Sequence, residues 1–156
     1  MSDRADALLG LSTRNYEDLA MLLCKQKLGY GTGRNVFVYR PDPALVVKHE
    51  AGDGFQNALE WEIWRQVQDD KTLSKWFAPC VEISGMSQWL LQKRTFPVRQ
   101  SDLPTKVPAI FTDLKIQNWG WFENRPVCHD YGSMLVRLMS TATRKLVKAD
   151  WWSHDI

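Results

Sequence analysis

FTDLKIQNWGW (residues 111–121) sets an Asp, a Lys and an Asn at close intervals inside a segment that otherwise reads as a tryptophan-rich strand. A little further on, CHDYG (128–132) places a second Asp just before a Gly. Buried strands do not collect acids and amides without a use for them, because every unpaired polar group costs desolvation. Taken singly, Asp113, Asn118 and Asp130 are explained as turn caps. Their occurrence together, with Lys115 between the first two, asks for more, and the rest of the chain has to supply it.

The chain has 156 residues, enough for one domain with a real core. Hydrophobic residues at 44% and charged residues at 24% exclude a disordered chain. A net charge of +2 is too small to call for a nucleic-acid or membrane partner. Eight tryptophans suggest a core of large pieces or a few aromatic anchors on a binding face. Cys24, Cys80 and Cys128 are far apart and odd in number, which supports neither a zinc ribbon nor a disulfide framework. The polar start of the chain shows no signal peptide, and no apolar run approaches a membrane span, so the cytoplasm is the expected compartment.

Residues 15–27 carry Leu19, Met21, Leu22 and Leu23 among polar neighbours and read as a helix. LGYGTGRN (28–35) is a glycine-rich turn or loop. VFVYR (36–40) and LVVKHE (45–50) read as strands, and the PDPA turn between them makes a hairpin. Residues 55–70 read as a helix with Phe55, Leu59, Ile63 and Val67 spaced by four. Residues 76–84 and 88–94 form a second predicted hairpin, and a proline-bearing connection follows. Residues 125–132 are a strand, and 133–149 a last helix with Leu135, Leu138, Met139, Ala142 and Leu146 on one face. Hairpins imply antiparallel pairing, so the fold class expected is α+β.

The glycine loop opens a strand rather than a helix, which excludes a Rossmann fingerprint, and Gly33 is followed by Arg34 and Asn35, which excludes a Walker loop. It is either a plain hairpin turn or a turn that offers backbone N–H groups to phosphates. Lys48 stands inside an apolar strand and either snorkels to solvent or is buried on an anion. In the next helix, Glu60 lies at the edge of the apolar stripe and Glu62 faces water. Glu60 is therefore the candidate partner of Lys48, against the alternative of a solvated helix glutamate. Phosphoryl transfer asks for the groups that follow. One carboxylate orients the attacking hydroxyl, a cation meets the transferred charge, and an amide oxygen with a second carboxylate holds magnesium.

This order of motifs resembles the protein kinase-like fold, from about Leu28 to Gly132. LGYGTGRNVFVY resembles its glycine loop, with Gly29 and Gly31 in place, Gly33 one position early and Arg34 where the third glycine would fall. VVKHE is similar to the strand-lysine motif, Glu60 to the helix glutamate, and WLLQKR to the strand before the hinge, with Leu91 near the gatekeeper position and Gln92 beside it. TDLKIQN resembles the catalytic loop, and HDYG the Asp-Phe-Gly motif with Tyr131 replacing Phe. The phrasing of the chain is also similar to small kinase-like proteins encoded by bacteriophages.

The resemblance implies one minimal domain over 1–156: an antiparallel N-lobe sheet with an αC-type helix (28–94), and a strongly reduced C-lobe bearing the catalytic loop and terminal helix (95–156). It implies ATP and Mg2+ as cofactors. Gly29, Gly31, Gly33, Lys48, Glu60, Leu91 and Gln92 would serve the nucleotide, Asn118 and Asp130 the metal, and Asp113 and Lys115 the chemistry. Phe111 and Thr112 depart from the His-Arg that usually precedes the catalytic Asp, and little chain follows Gly132 for an activation loop. By family analogy the acceptor is a Ser or Thr hydroxyl of a host protein. The alternatives are a kinase-like protein, catalytically weak or inactive, that binds and inhibits a host enzyme through TRKLVKADWW (143–152), and a small-molecule phosphotransferase. Membrane association is not expected, and the nearly balanced charge argues against nucleic acid.

Overall fold

The strands form where β-branched and aromatic residues can pair. In the computed structural model, which describes residues 20–31, 33–50, 54–134 and 141–154, the fold is α+β with antiparallel strand pairs. The chain divides into two compact units, Met1–Trp61 with Cys80–Arg94, and Glu62–Pro79 with Thr95–Ile156.

The first unit is built on a five-stranded sheet of order β1-β2-β3-β5-β4. Its strands are β1 (Cys24–Gly31), β2 (Arg34–Tyr39), β3 (Leu45–Glu50), β4 (Cys80–Ile83) and β5 (Trp89–Lys93). Each neighbouring pair is antiparallel. The β2–β3 turn is fixed by Asp42, whose carboxylate accepts from Ala44 N at 3.0 Å and whose carbonyl accepts from Leu45 N at 2.9 Å. Val38, Leu45, Val46, Val47 and Leu90 are buried and form the apolar part of this unit.

Two expectations are corrected here. Residues 20–23 are helical, but the strand β1 starts at Cys24 and replaces both the helix to Lys27 and the loop over 28–35; the start of that predicted helix lies outside the described residues. Lys25 and Lys27 suit an edge strand, where charges discourage pairing with foreign chains. Register shifts around Lys27 let β1 follow β2 despite its weak pattern.

The helix α1 (Gln56–Val67) follows, within the predicted span. Its inward stripe is not the predicted one. Phe55 and Leu59 are exposed, while Asn57, Glu60, Ile63 and Val67 are buried. Steps of three and four make that a continuous face, and its first two members are polar.

The second unit holds two short two-stranded sheets, β7 (Trp119–Phe122) with β8 (Arg125–Cys128), and β6 (Lys106–Pro108) with β9 (Leu146–Lys148). Glu123 and Asn124 turn the β7–β8 hairpin in left-handed conformations, φ 45° and 64°. Aromatic rings pack edge-on and tilted around Phe77, Phe111, Trp119 and Tyr131. Trp121 is exposed and pairs by its main chain with Phe96. The predicted helix over 133–149 is not what forms at its far end: Thr141–Arg144 is a single turn (α2) and Leu146–Lys148 is a strand. Residues 135–140 of that prediction lie outside the described residues. The strand predicted over 76–84 begins only at Cys80, after a 3-10 turn at Ser74–Trp76.

Candidate functional site

In the first unit, strand register gathers charge on one face. Arg34 pairs with Glu50 and Val36 with Lys48 across β2 and β3, so Arg34, Lys48 and Glu50 project to the same side. The carboxylate of Glu50 accepts from Gln56 N at 2.9 Å and Asn57 N at 3.1 Å, capping the start of α1. Gly54 is needed there, since a Cβ at that position would run into the Glu50 carboxyl.

That cap aims Glu60 back at the sheet. Lys48 Nζ donates to Glu60 Oε1 at 3.1 Å and Oε2 at 2.9 Å. Arg34 grips the same carboxylate from its own side, Nη1 to Oε2 at 2.9 Å and Nη2 to Oε1 at 3.2 Å. All three residues are buried. Burial alone would raise the Glu60 pKa, but Lys48 and then Arg34, by charge and by hydrogen bonds, hold it down at about 2. Asn57 ties the group to the backbone. Its Nδ2 donates to Lys48 O at 3.1 Å and Gln88 O at 3.0 Å, and its Oδ1 accepts from Arg34 at 3.3 Å.

Sequence reasoning singled out Lys48 and Glu60 but missed Arg34, Asn57 and Glu50. The available signals were the two-residue spacing of Lys48 and Glu50 on one strand face and the three-residue spacing of Asn57 and Glu60 on one helix face.

The glycine stretch is a tight hairpin, with Gly31 paired to Arg34. Gly33 needs to be glycine for conformation, at φ 99°. Gly29 does not: a Cβ there would meet nothing within 4 Å. Leu91 is half-buried and registers with Val47 on β3. Gln92 is buried, with Nε2 3.8 Å from Cys80 Sγ and with Oε1 lacking a hydrogen-bond partner among the described residues.

In the second unit the candidate loop is anchored at Phe111 and Trp119, both buried, and runs exposed between them at Asp113. Asp113 Oδ1 accepts from Lys115 N at 3.3 Å and from Trp152 Nε1 at 3.2 Å, and Oδ2 accepts from Asn118 Nδ2 at 3.3 Å. A 3-10 turn at Ile116–Asn118 makes the last of these possible by folding Asn118 back. The carbonyl of Asn118 then accepts from His129 N at 2.8 Å and Asp130 N at 3.3 Å, which extends the β7–β8 ladder and brings Asn118 beside Asp130.

His129 is held from two sides, Nδ1 2.7 Å from Thr95 Oγ1 and Nε2 2.9 Å from Gln117 O. The carbonyl can only accept, so Nε2 carries a proton. Gly120 is required by this approach, because a Cβ would collide with Thr95 and the His129 ring. Tyr131 is buried and donates its hydroxyl to Ala78 O at 2.8 Å.

Asn118 carries an amide oxygen and Asp130 a carboxylate, donor types that could hold a hard cation such as magnesium. Among the described residues no cluster of three His, Cys, Asp or Glu side chains makes an all-protein cage, and no helix is long and apolar enough to cross a membrane.

No protein-family model matches the chain, and no curated protein matches it. Solved structures similar to it are those of aminoglycoside phosphotransferases. They include the gentamicin complex of APH(2'')-IIa, at 22% identity over 58% of this chain and a TM-score of 0.43. The streptomycin–ATP ternary complex of APH(2'')-IIa and ADP-bound APH(2'')-Ib give TM-scores of 0.42 at the same identity. The chain spans 30% of the length of each of these structures.

Proposed function

We propose that the chain is a minimal phosphotransferase of the protein kinase-like type that uses ATP and magnesium to phosphorylate a Ser or Thr hydroxyl of a host protein. The observation that carries this reading is the buried pair of Lys48 and Glu60, separated by 12 residues in sequence. A lysine buried on a strand and fixed by a helix carboxylate holds its ammonium in a set place for a phosphate, which a solvated lysine does not. The Asp113–Asn118 bond and the Asn118–Asp130 backbone contact support it from the second unit.

On this reading residues 28–94 serve the nucleotide and residues 95–156 bear the catalytic loop of a reduced second lobe. Gly29, Gly31 and Gly33 offer a backbone that phosphates can approach, Lys48 contacts phosphate, and Leu91 and Gln92 lie on the adenine side. Asn118 and Asp130 hold magnesium, which when bound neutralises phosphate charge. Asp113 takes or orients the proton of the acceptor hydroxyl, and Lys115 meets the negative charge of the phosphoryl group in transit.

The alternative, a binding protein that inhibits a host enzyme, loses part of its basis. Trp151 packs on Trp119 and donates to Pro104 O, whereas Trp152, though its indole N–H donates to Asp113, stays exposed. Exposed Leu146, Val147 and Lys148 on β9 remain for it.

The test is a melting curve with Mg·ATP together with transfer from γ-labelled ATP to host proteins. Stabilisation and labelling that both disappear in Lys48→Met and Asp130→Asn are expected. Absence of stabilisation at millimolar nucleotide would overturn the reading.

A further inference from the structure

Residues 149–154 run along the candidate loop in a way that neither composition nor spacing signals. Ala149 N donates to Thr105 O at 2.9 Å, carrying the segment off the edge of β9. Trp151 is pinned by its indole N–H to Pro104 O at 2.8 Å and by an edge-on contact with Trp119 at 5.0 Å. Trp152 then forms a parallel bridge with Lys115: Ile116 N donates to Trp152 O at 2.9 Å, and Trp152 N donates to Leu114 O at 3.2 Å. Gln117 Nε2 donates to Ser153 Oγ at 2.6 Å.

The Trp152 side chain touches both groups that the proposed reaction assigns to chemistry. Its Nε1–H donates to Asp113 Oδ1 at 3.2 Å. Its ring lies under the Lys115 ammonium, 5.8 Å from Nζ to the centroid. A carboxylate oxygen has two lone pairs. On Oδ1 both are engaged, by Lys115 N–H and the indole N–H. Oδ2 accepts from Asn118 Nδ2 and keeps one lone pair for a further donor.

We propose that Trp152 is a positioning residue for the transfer reaction. It fills Asp113 Oδ1 so that the acceptor hydroxyl is directed to Oδ2, and it steadies Lys115 on its ring face. This inference rests on the phosphotransferase reading above. In the step concerned, the acceptor oxygen bonds to the γ-phosphorus while the bond from that phosphorus to the β,γ-bridging oxygen breaks. ADP leaves with that electron pair, and the hydroxyl proton passes to Asp113 Oδ2. An indole donor is suited to this place because it has no basic nitrogen and no other protonation state to offer near neutral pH.

The experiment compares Trp152→Phe, Trp152→Ala and Ser153→Ala in the full chain. The probe is Mg·ATP with water as acceptor, read as phosphate release, and nucleotide affinity is measured separately from the Mg·ATP melting shift. Trp152→Phe keeps the ring and removes the N–H. Its kcat is expected to fall about five- to ten-fold, with KM and nucleotide affinity within about two-fold of the parent. Trp152→Ala, which also removes the ring under Lys115, falls further. Ser153→Ala loosens the same segment without touching Asp113 and keeps its kcat. An unchanged kcat in Trp152→Phe, or an equal loss in Ser153→Ala, overturns the positioning role while the phosphotransferase reading stands. A parent protein that neither binds nor turns over Mg·ATP overturns both.

Discussion

Arg34 Nη1 stands 2.9 Å from Glu60 Oε2, on the carboxylate that Lys48 also holds. In the resemblance to the kinase-like glycine loop, Arg34 occupies the position of the third glycine. Arg34 thus gives Glu60 a second buried cation beside Lys48. Two cations share one acid, and removing the acid should cost more than removing either cation. Glu60→Gln is expected to lose about 3–5 kcal/mol, because it leaves both charges poorly compensated in the interior. Arg34→Met should cost clearly less, since Lys48 and Glu60 still satisfy each other. Urea midpoints of the two variants check the order, and an Arg34→Met loss equal to that of Glu60→Gln would contradict it.

The same carboxylate sets an acid limit. The Glu60 pKa is held at about 2 against an ordinary 4.5. A depressed folded-state value contributes stability fully above the unfolded value, and the contribution is lost as pH falls from about 4.5 through about 2. The size is on the order of 3 kcal/mol. Unfolding free energies measured at steps across that window should fall in the parent and lose this part of their slope in Glu60→Gln. Parallel curves for the two would show that Glu60 is not the group responsible.

Two glycines in one hairpin make opposite predictions. Gly33 has φ 99°, so Gly33→Ala should destabilise by about 1 kcal/mol through backbone strain. Gly29 has open space for a Cβ, so Gly29→Ala should leave the melting temperature unchanged. If the hairpin lies against phosphates, Gly29→Ala nevertheless weakens Mg·ATP binding. Equal affinity in the parent and Gly29→Ala would reduce the glycine stretch to a plain turn.

Tyr131 makes a buried bond that the loss of a single atom deletes. Tyr131→Phe removes the hydroxyl that donates to Ala78 O at 2.8 Å. The carbonyl would be left without that donor in a buried place, which costs about 1–3 kcal/mol. A denaturation curve that moves to lower denaturant in the Phe variant is the expected result, and an unchanged midpoint would mean that the bond contributes nothing net.

What the sequence made legible was whatever depended on short spacing. The β2–β3 hairpin follows from two apolar strands around a Pro-Asp-Pro turn, and Glu60 was preferred to Glu62 because helix geometry puts it nearer the packed face. The proximity of Asn118 to Asp130 follows from the β7–β8 hairpin between them. The missed strands depended on pairing with another segment. β1 owes its existence to β2 rather than to its own composition, since Lys25, Lys27 and Gly29 are poor strand formers. β9 likewise pairs with β6 where an amphipathic helix was expected, and short apolar runs are ambiguous between the two states. The role of Arg34 was hidden because it reads as a loop residue until the register across from Glu50 is known.

The two units assign different jobs to their charged residues, and the jobs can be separated by measurement. Lys48 is buried in the sheet and fixed by Glu60, and on the proposed reading it would serve nucleotide binding. Asp113 is exposed on a loop, and its Oδ2 accepts one hydrogen bond and keeps a lone pair for an acceptor hydroxyl. Lys48→Met should therefore reduce the melting shift given by Mg·ATP, and with it the rate. Asp113→Asn should keep that shift, because the proposed reading gives Asp113 the acceptor rather than the nucleotide, and yet lower the transfer rate by about a hundred-fold or more. A variant pair in which both binding and transfer fall together would mean that Asp113 acts on the nucleotide rather than on the acceptor. A pair in which Lys48→Met leaves the shift intact would remove the strand lysine from the nucleotide site.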